Sequence, residues 1–212
     1  MKEKVIIFDF GNILISLDFE RSFRAFEDLL NVDWSDRMIP GVVQKAIYQY
    51  DRGRISDEEF AKTFHVYNPD ASFADIYKAW NTLLGIIPSN RFEFLLSLKA
   101  KYKLALLSNI NNLHLNEVHH YLRNEHSVHD FEERFFDQVF YSHIIGKRKP
   151  DLETYRYVEE NLGISGENIL FIDDMEENVL AARNCGWNAC VHNPAHSIEN
   201  KFSEYLIAAG FE

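Results

Sequence analysis

Short continuous apolar runs, separated by polar and amphipathic stretches, set the pattern of this chain. Val5-Ile6-Ile7-Phe8, Leu104-Ala105-Leu106-Leu107, Ile169-Leu170-Phe171-Ile172 and Ala189-Cys190-Val191 are such runs, and Gln138-Val139-Phe140-Tyr141 is a weaker fifth. Runs of this length without alternation suit strands buried on both faces, as in a parallel sheet. Pro150 precedes the amphipathic stretch Asp151–Leu162 and Gly163 follows it, as expected of a helix start and a helix end. Met175–Cys185 is followed by Gly186 in the same way. The alternation from about residue 89 to 195 predicts a doubly wound α/β unit, a Rossmann-like, mostly parallel sheet flanked by helices.

Residues 16–88 break that alternation. Phe19, Phe23, Phe26 and Leu30 recur at helical spacing, as do Val42, Ala46, Ile47 and Tyr50. Ser56 and Glu59 have capping-box spacing ahead of Phe60, Ala61 and Phe64. Phe73, Ile76, Tyr77 and Trp80 continue the pattern, and no segment here reads as a strand. The expected organisation is an inserted α-helical unit over 16–88 and an α/β core formed by 1–15 and 89–212, with Pro88-Ser89 marking the return. The aromatic positions of the insertion read as its own core and its seam with the main unit rather than as a platform for a sugar.

Composition narrows the possibilities. The 212 residues suffice for one good core plus a small second unit. Hydrophobic residues at 46 % and charged residues at 26 % are an ordinary soluble globular mixture. No apolar run approaches the roughly 20 residues needed to cross a bilayer. The four apolar residues after Met1-Lys2-Glu3-Lys4 are too few for a signal peptide. A cytoplasmic protein with no membrane partner, monomeric or homodimeric, is therefore expected. The net charge of −11 disfavours nucleic acid, whose binders need Lys/Arg surfaces. It leaves room for an anionic small molecule, since a bound metal inverts the local field. Cys185 and Cys190 read as two buried thiols rather than a disulfide or a metal site.

Ligands of open α/β sheets bind outside the carboxyl ends of the strands. There the first run ends in Asp9-Phe10-Gly11-Asn12, the second in Ser108-Asn109 and the fourth in Asp173-Asp174, and Gly146-Lys147-Arg148-Lys149-Pro150 precedes a helix. Singly these have plain readings: a turn or cap for Asp9 and Ser108, a helix start for Asp173-Asp174, a solvated basic patch for Lys147-Arg148-Lys149. Together they suit phosphate chemistry. A carboxylate such as Asp9 can attack phosphorus and form an aspartyl phosphate. Asp9, Asp174 and a backbone carbonyl are hard oxygen donors suited to Mg²⁺. Ser108 and its neighbouring amides can donate to a phosphate oxygen, and Lys149 can neutralise both Asp9 and the phosphoryl group.

Phe8-Asp9-Phe10-Gly11-Asn12, Leu107-Ser108-Asn109, Gly146-Lys147-Arg148-Lys149-Pro150-Asp151 and Phe171-Ile172-Asp173-Asp174 resemble the four motifs of the haloacid dehalogenase superfamily, in their usual order. The insertion resembles that superfamily's helical cap of the first type. More closely, Asp51-Arg52-Gly53-Arg54-Ile55-Ser56 and Ser108-Asn109-Ile110-Asn111-Asn112-Leu113-His114 are similar to bacterial phosphatases that act on α-glucose-1-phosphate. The resemblance implies a small phosphorylated metabolite as partner and Asp9 as nucleophile, with Lys149 and Ser108 assisting. It implies Mg²⁺ on Asp9, the Gly11 carbonyl and Asp174, with Asp173 and Asn178 at the metal's edge. Ser108, Asn109 and Lys149 would hold the phosphoryl group, beside Gly11 and Asn12. Tyr48, Arg52, Arg54 and His114 are further candidates for substrate contact, and the remaining histidines read as a solvated helix and loop.

One position departs from the pattern. Phosphatases of the superfamily usually carry an aspartate two residues after the nucleophile, as general acid and base, and here Gly11 stands there. Such help is worth roughly 10²–10⁴-fold. A leaving group that needs little help, such as the anomeric oxygen of a sugar-1-phosphate, fits that loss, so a Mg²⁺-dependent sugar-phosphate phosphatase is the leading expectation. A 2-haloacid dehalogenase also lacks the acid, but it needs no metal and leaves Asp173-Asp174 unexplained. A non-catalytic phosphate-binding or interaction protein would not need the other motifs intact.

Overall fold

The computed structural model describes residues 4–35 and 37–211. The five apolar runs form five parallel strands, β1 (Val5–Phe8), β2 (Lys103–Ser108), β3 (Gln138–Tyr141), β4 (Ile169–Asp173) and β5 (Asn188–Val191). Helices α1 (Phe19–Leu30), α2 (Gly41–Tyr50), α3 (Asp57–Lys62), α4 (Phe73–Asn81) and α5 (Asn90–Lys99) lie between β1 and β2. Then come α6 (Asn112–His126), α7 (Phe131–Phe135), α8 (Ser142–Ile145), α9 (Leu152–Leu162), α10 (Glu176–Asn184) and α11 (Ile198–Ala208).

The runs are continuous because both faces of the sheet are covered. Ile6, Phe8, Leu104, Leu106, Leu170 and Ile172 pack under α5, α6, α7 and α11, against residues such as Leu95, Val118, Phe131 and Phe202. Their neighbours Val5, Ile7, Ala105, Leu107, Ile169 and Phe171 point the other way, onto Tyr155 and Val158 of α9 and Val179 and Ala182 of α10. Strand order is β3-β2-β1-β4-β5. The chain winds from β1 through β2 to β3 on one side, then returns to place β4 and β5 on the other. The switch in direction opens a crevice at the carboxyl end of β1, where Asp9 emerges.

A separate cluster of buried side chains belongs to α1–α4: Phe26, Trp34, Tyr50, Phe60, Phe64 and Ile76, joined by Leu113 of α6. The capping box forms as predicted, with Glu59 N–H donating to Ser56 Oγ (3.2 Å) and Ser56 N–H to Glu59 Oε2 (2.8 Å). The segments entering and leaving these helices run side by side: Ser16 N–H donates to Ile86 O (3.0 Å), Gly85 N–H to Ser16 O (2.8 Å) and Asp18 N–H to Leu83 O (2.8 Å). Among the described residues of 16–88, an isolated Leu17–Leu84 bridge is the strand-like pairing.

Three expectations shift slightly. Asp151 is the N-cap of α9, and its carboxylate goes to Arg52 at the end of α2 instead of capping. Met175 and Cys185 cap α10 rather than belonging to it. Both cysteines are free, but half-buried rather than buried. Among the described residues no helix is long and apolar enough to cross a membrane. Met1–Glu3, which enter the signal-peptide reading, lie outside the described residues.

Polar contacts tie the α1–α4 unit to the sheet unit. Leu113 N–H donates to Tyr50 Oη (3.1 Å), Asn112 Nδ2 to Asp57 Oδ2 (2.8 Å) and Trp80 Nε1 to Asn111 Oδ1 (3.2 Å). The turn after α2 closes against the loop after β3. Gly53 adopts φ +63°, and a Cβ there would run into the backbone carbonyl of His143. Gly146 has a similar φ of +71° but open space around it. Gly146→Ala should therefore cost only the left-handed backbone penalty, about 1–2 kcal/mol. Gly53→Ala adds a clash with backbone and should cost about 3 kcal/mol or more. Urea unfolding of both variants checks this, and equal losses would contradict the close approach.

Candidate active site

Asp9 continues β1 by one residue, its N–H donating to Ile172 O of β4 at 2.9 Å. Asp173 ends β4 and Asp174 follows it, so parallel pairing alone sets the carboxylates side by side. Oxygens of Asp9, Asp173 and Asp174 lie within 4.8 Å of one another. Lys149 comes from the loop between α8 and α9 and is only 1 % exposed. Its Nζ donates to Asp9 Oδ1 and to Asp173 Oδ2, both at 2.6 Å.

The neighbours hold this arrangement in place. Asn109 clamps the Lys149 backbone, its Nδ2 donating to Lys149 O and its Oδ1 accepting from Lys149 N–H, both at 2.9 Å. Its side chain is thereby a positioning group, and its backbone is what remains for a substrate. Asp173 is fully buried and accepts from Lys149, from Met175 N–H (2.8 Å) and from Asn178 Nδ2 (2.9 and 3.1 Å). It therefore orients the lysine and the start of α10. Asn12, at φ 55°, donates through Nδ2 to Asp174 Oδ2 (2.9 Å) and accepts from Leu17 N–H (3.1 Å). Ser108 is buried at the end of β2 and faces the same cavity, of about 210 Å³. Asp9, Gly11, Asn12, Ser108, Asn109, Lys149, Asp174 and Asn178 all line that cavity, and Asp173 stands behind it.

Electrostatics favour a cation here. Burial pushes the Asp9 carboxyl up to about 7, with Lys149 pulling against it and Asp173 adding repulsion. Burial also raises Asp174. Burial works against the charge on Lys149, but Asp173 and Asp9 hold its ammonium above the ordinary range. Three carboxylates around one ammonium leave excess negative charge in the cavity. Asn178 Oδ1 is buried without a hydrogen-bond partner beside the same cavity. Hard oxygens with an unmatched acceptor fit a hydrated Mg²⁺. The residues present thus suit that ion.

Gly11 shows what replaced the usual acid. A Cβ on Gly11 would stand 2.8 Å from Leu17 Cδ1, so an apolar side chain fills the space. His114 is a further titratable group lining the cavity. It stacks on Trp80, with ring centroids 4.7 Å apart. Its Nε2 faces the Trp80 carbonyl at 3.1 Å, which can only accept, so Nε2 carries the proton and Asn111 Nδ2 donates to Nδ1 (3.3 Å). Both nitrogens are occupied, and burial lowers its pKa to about 4. His114 is a neutral wall rather than an acid.

That wall has a pH signature. The unfolded chain protonates His114 near its ordinary 6.5 while the folded chain resists to about 4. The stability from neutral His114 is present above pH 6.5 and is lost as pH falls towards 4, by up to about 3 kcal/mol. His114→Asn should flatten the decline in unfolding free energy over that window. An unchanged slope would mean that His114 is charged in the folded protein.

Other candidates sit elsewhere. Arg52 is buried against the Tyr48 ring (3.6 Å) and pairs with Asp151, Arg54 is exposed, and none of Tyr48, Arg52 and Arg54 lines this cavity. The sequence reading missed Leu17, Phe19, Leu83 and Leu84, which close the cavity from the linker segments. Their signal was their place at the boundaries of the helical insertion.

A family model described as haloacid dehalogenase-like hydrolase matches residues 3–186. The D-ribitol-5-phosphate phosphatase of Bacteroides thetaiotaomicron is 23 % identical over 188 residues, covering 87 % of this chain and 89 % of that one. A sesquiterpene phosphatase of Aspergillus oryzae is 27 % identical over 191 residues, covering 86 % of each. A haloacid dehalogenase family enzyme of B. thetaiotaomicron, solved with magnesium and inorganic phosphate, superposes with a TM-score of 0.80 at 28 % identity over 94 % of this chain and 99 % of that one.

Proposed function

The chain belongs to the haloacid dehalogenase-like hydrolases, and from that membership we propose a Mg²⁺-dependent phosphomonoester hydrolase that works through an aspartyl phosphate on Asp9. The observation that carries the reading is the buried Lys149 held between Asp9 and Asp173 at the mouth of the sheet. A relative named as a phosphatase and a neighbour solved with magnesium and phosphate support it.

In this reading an Asp9 oxygen attacks phosphorus. The Asp9–phosphorus bond forms as the bond from phosphorus to the substrate's organic oxygen breaks. That oxygen leaves as an alcohol, its proton drawn from water because Leu17 occupies the place of the usual acid. Water then attacks phosphorus, releases phosphate and restores the Asp9 carboxylate. Lys149 offsets charge on Asp9 and the phosphoryl group, and the Ser108 hydroxyl donates to a phosphoryl oxygen. Asp9, the Gly11 carbonyl and Asp174 would hold Mg²⁺, with Asp173 and Asn178 fixing that edge of the site. The ion supplies neutralisation and polarisation of the phosphoryl group. Residues 16–88 act as a cap that limits the access of bulk water to the site.

Two kinds of organic group have support. The likeness to sugar-1-phosphate phosphatases and the ribitol-5-phosphate relative favour a sugar phosphate. The sesquiterpene phosphatase favours an apolar one. Phosphate release from a phosphomonoester panel is expected to fall at least roughly 100-fold after chelation of divalent metal and to return with Mg²⁺, since metal polarisation contributes several kcal/mol. Release that survives chelation, or metal-independent halide release from a 2-haloacid, would overturn the reading.

A further inference from the structure

A second chamber of about 320 Å³ adjoins the catalytic cavity on the side of the α1–α4 unit. Leu17, Phe19, Leu83, Asn109 and His114 line both spaces and form the boundary, or neck, at which they meet. Beyond the neck the wall is mostly apolar, with Phe23, Phe26, Trp34, Ile47 and Trp80 its main surfaces. The volume holds on the order of ten carbon-sized groups, at the roughly 30 Å³ that one water molecule occupies in the liquid.

The chamber's asparagines and its histidine are engaged with other protein groups. Asn109 is spent on the Lys149 backbone. Asn111 accepts from Trp80 Nε1 (3.2 Å) and from His114 N–H (3.1 Å), and its Nδ2 faces Asp51 (3.4 Å) and His114 Nδ1 (3.3 Å). His114 has both ring nitrogens taken. Arg148 is balanced by Asp51, 3.6 Å away, although its buried Nε makes no hydrogen bond. Ser22 adds one hydroxyl at the wall. A polyhydroxylated group would lose water here and find few partners, a costly exchange. An apolar group would gain by burial at every methylene. Among the described residues no lysine lines the chamber, and the charge of Arg148 is set against Asp51, which leaves little counter-charge for a second phosphate.

We propose that this chamber receives the organic part of the substrate, and that the substrate is the monophosphate of an apolar, uncharged alcohol of about ten carbons rather than a sugar phosphate. The proposal rests on reading the catalytic cavity as a phosphatase site. The phosphate sits at Asp9 and the apolar chain passes the neck between Leu17, Leu83 and His114.

The test compares kcat/KM for butyl, hexyl, octyl and decyl phosphate, kept below micelle formation, with glucose-1-phosphate and ribitol-5-phosphate. The activated ester p-nitrophenyl phosphate reports phosphatase chemistry as such. A rise of at least about 30-fold from butyl to decyl phosphate is expected, a cautious fraction of the gain per methylene, with both sugar phosphates no better than butyl phosphate. Ile47→Glu, which places a carboxylate in the chamber wall, should bring the decyl-to-butyl ratio close to one. Phe23→Ser should reduce it, and serves if Ile47→Glu does not fold. A flat chain-length series, or a sugar phosphate ahead of decyl phosphate, overturns the proposal. If no ester including p-nitrophenyl phosphate is hydrolysed, the phosphatase reading falls instead. The chamber is then judged by binding alone: decanol should quench or shift the fluorescence of Trp34 and Trp80 at concentrations where ribitol does not, and the reverse order would sink it.

Discussion

Asp9→Asn should hydrolyse phosphomonoesters more slowly than the wild type by on the order of 10⁴-fold, the scale of loss when a covalent nucleophile is removed. The substitution changes one oxygen to nitrogen and keeps the size of the side chain. An amide oxygen cannot serve as the attacking group, so the loss should appear in kcat with little change in KM. Folding should survive. Burial raises the Asp9 pKa to about 7, so at neutral pH the folded protein holds this carboxylate ionised at a cost that the unfolded chain avoids. A raised carboxyl pKa means that stability falls as pH climbs from about 4 to 7. Asp9→Asn should remove that slope and be at least as stable as the wild type in metal-free buffer at pH 7. Single-turnover phosphate release and urea unfolding, run side by side, test both statements. A residual rate within tenfold of wild type would remove Asp9 from the chemistry. A large loss of stability would instead explain inactivity by misfolding.

The legible parts of this protein are those that local patterning dictates. Val5–Phe8 and Ile169–Asp173 read as strands because every residue is apolar up to the final carboxylates, and β1 and β4 are enclosed on both faces. Once they pair in parallel, Asp9 and Asp173 must meet, so the core of the site follows from sequence and register alone. Lys149 was legible by motif, but its reach across to both carboxylates depends on Asn109 fixing its backbone, a long-range contact that no periodicity reveals. Asn109 and Asn12 were expected against the substrate, and the structure gives their side chains to Lys149 and Asp174. Arg52 was, with Tyr48 and Arg54, an insertion residue expected to contact substrate. It is instead paired with Asp151, the N-cap residue of α9.

The chamber was the least legible feature. Phe26 and Phe64 belong to the helical unit's own core, as their spacing predicts, yet they also face open space beside Phe19 and Phe23. Spacing assigns a residue to a face of a helix but does not say whether a neighbour fills the gap in front of it. Leu17 links this feature to the missing acid. It lies 2.8 Å from where a Cβ on Gly11 would stand and also lines the chamber, so one apolar side chain borders both the position of the missing acid and the space proposed for the organic group.

Lys149→Met should lower kcat/KM by roughly 10²–10³-fold, the scale of removing a fixed charge that acts on the developing transition state. Its effect on folding should set it apart from Asp9→Asn. Lys149 is 1 % exposed and bonds to two buried carboxylates at 2.6 Å, so methionine leaves Asp9 and Asp173 facing each other without a cation. Breaking a buried pair from one side costs about 3–5 kcal/mol. The loss should depend on conditions. Protonation of the carboxylates relieves their repulsion, so the variant should gain stability relative to wild type as pH falls from 7 to 5. Mg²⁺ should restore part of the stability by supplying positive charge to the same cluster, but little of the activity, because the ion does not replace an ammonium bonded directly to Asp9. Lys149→Arg should not rescue either property, since the planar fork is larger than a fully buried ammonium site accepts. Unfolding curves at two pH values with and without Mg²⁺, beside rates on one phosphomonoester, separate these effects. A Lys149→Met enzyme with more than a tenth of the wild-type rate would show that the ammonium only holds Asp9 and Asp173 together and takes no part in phosphoryl transfer.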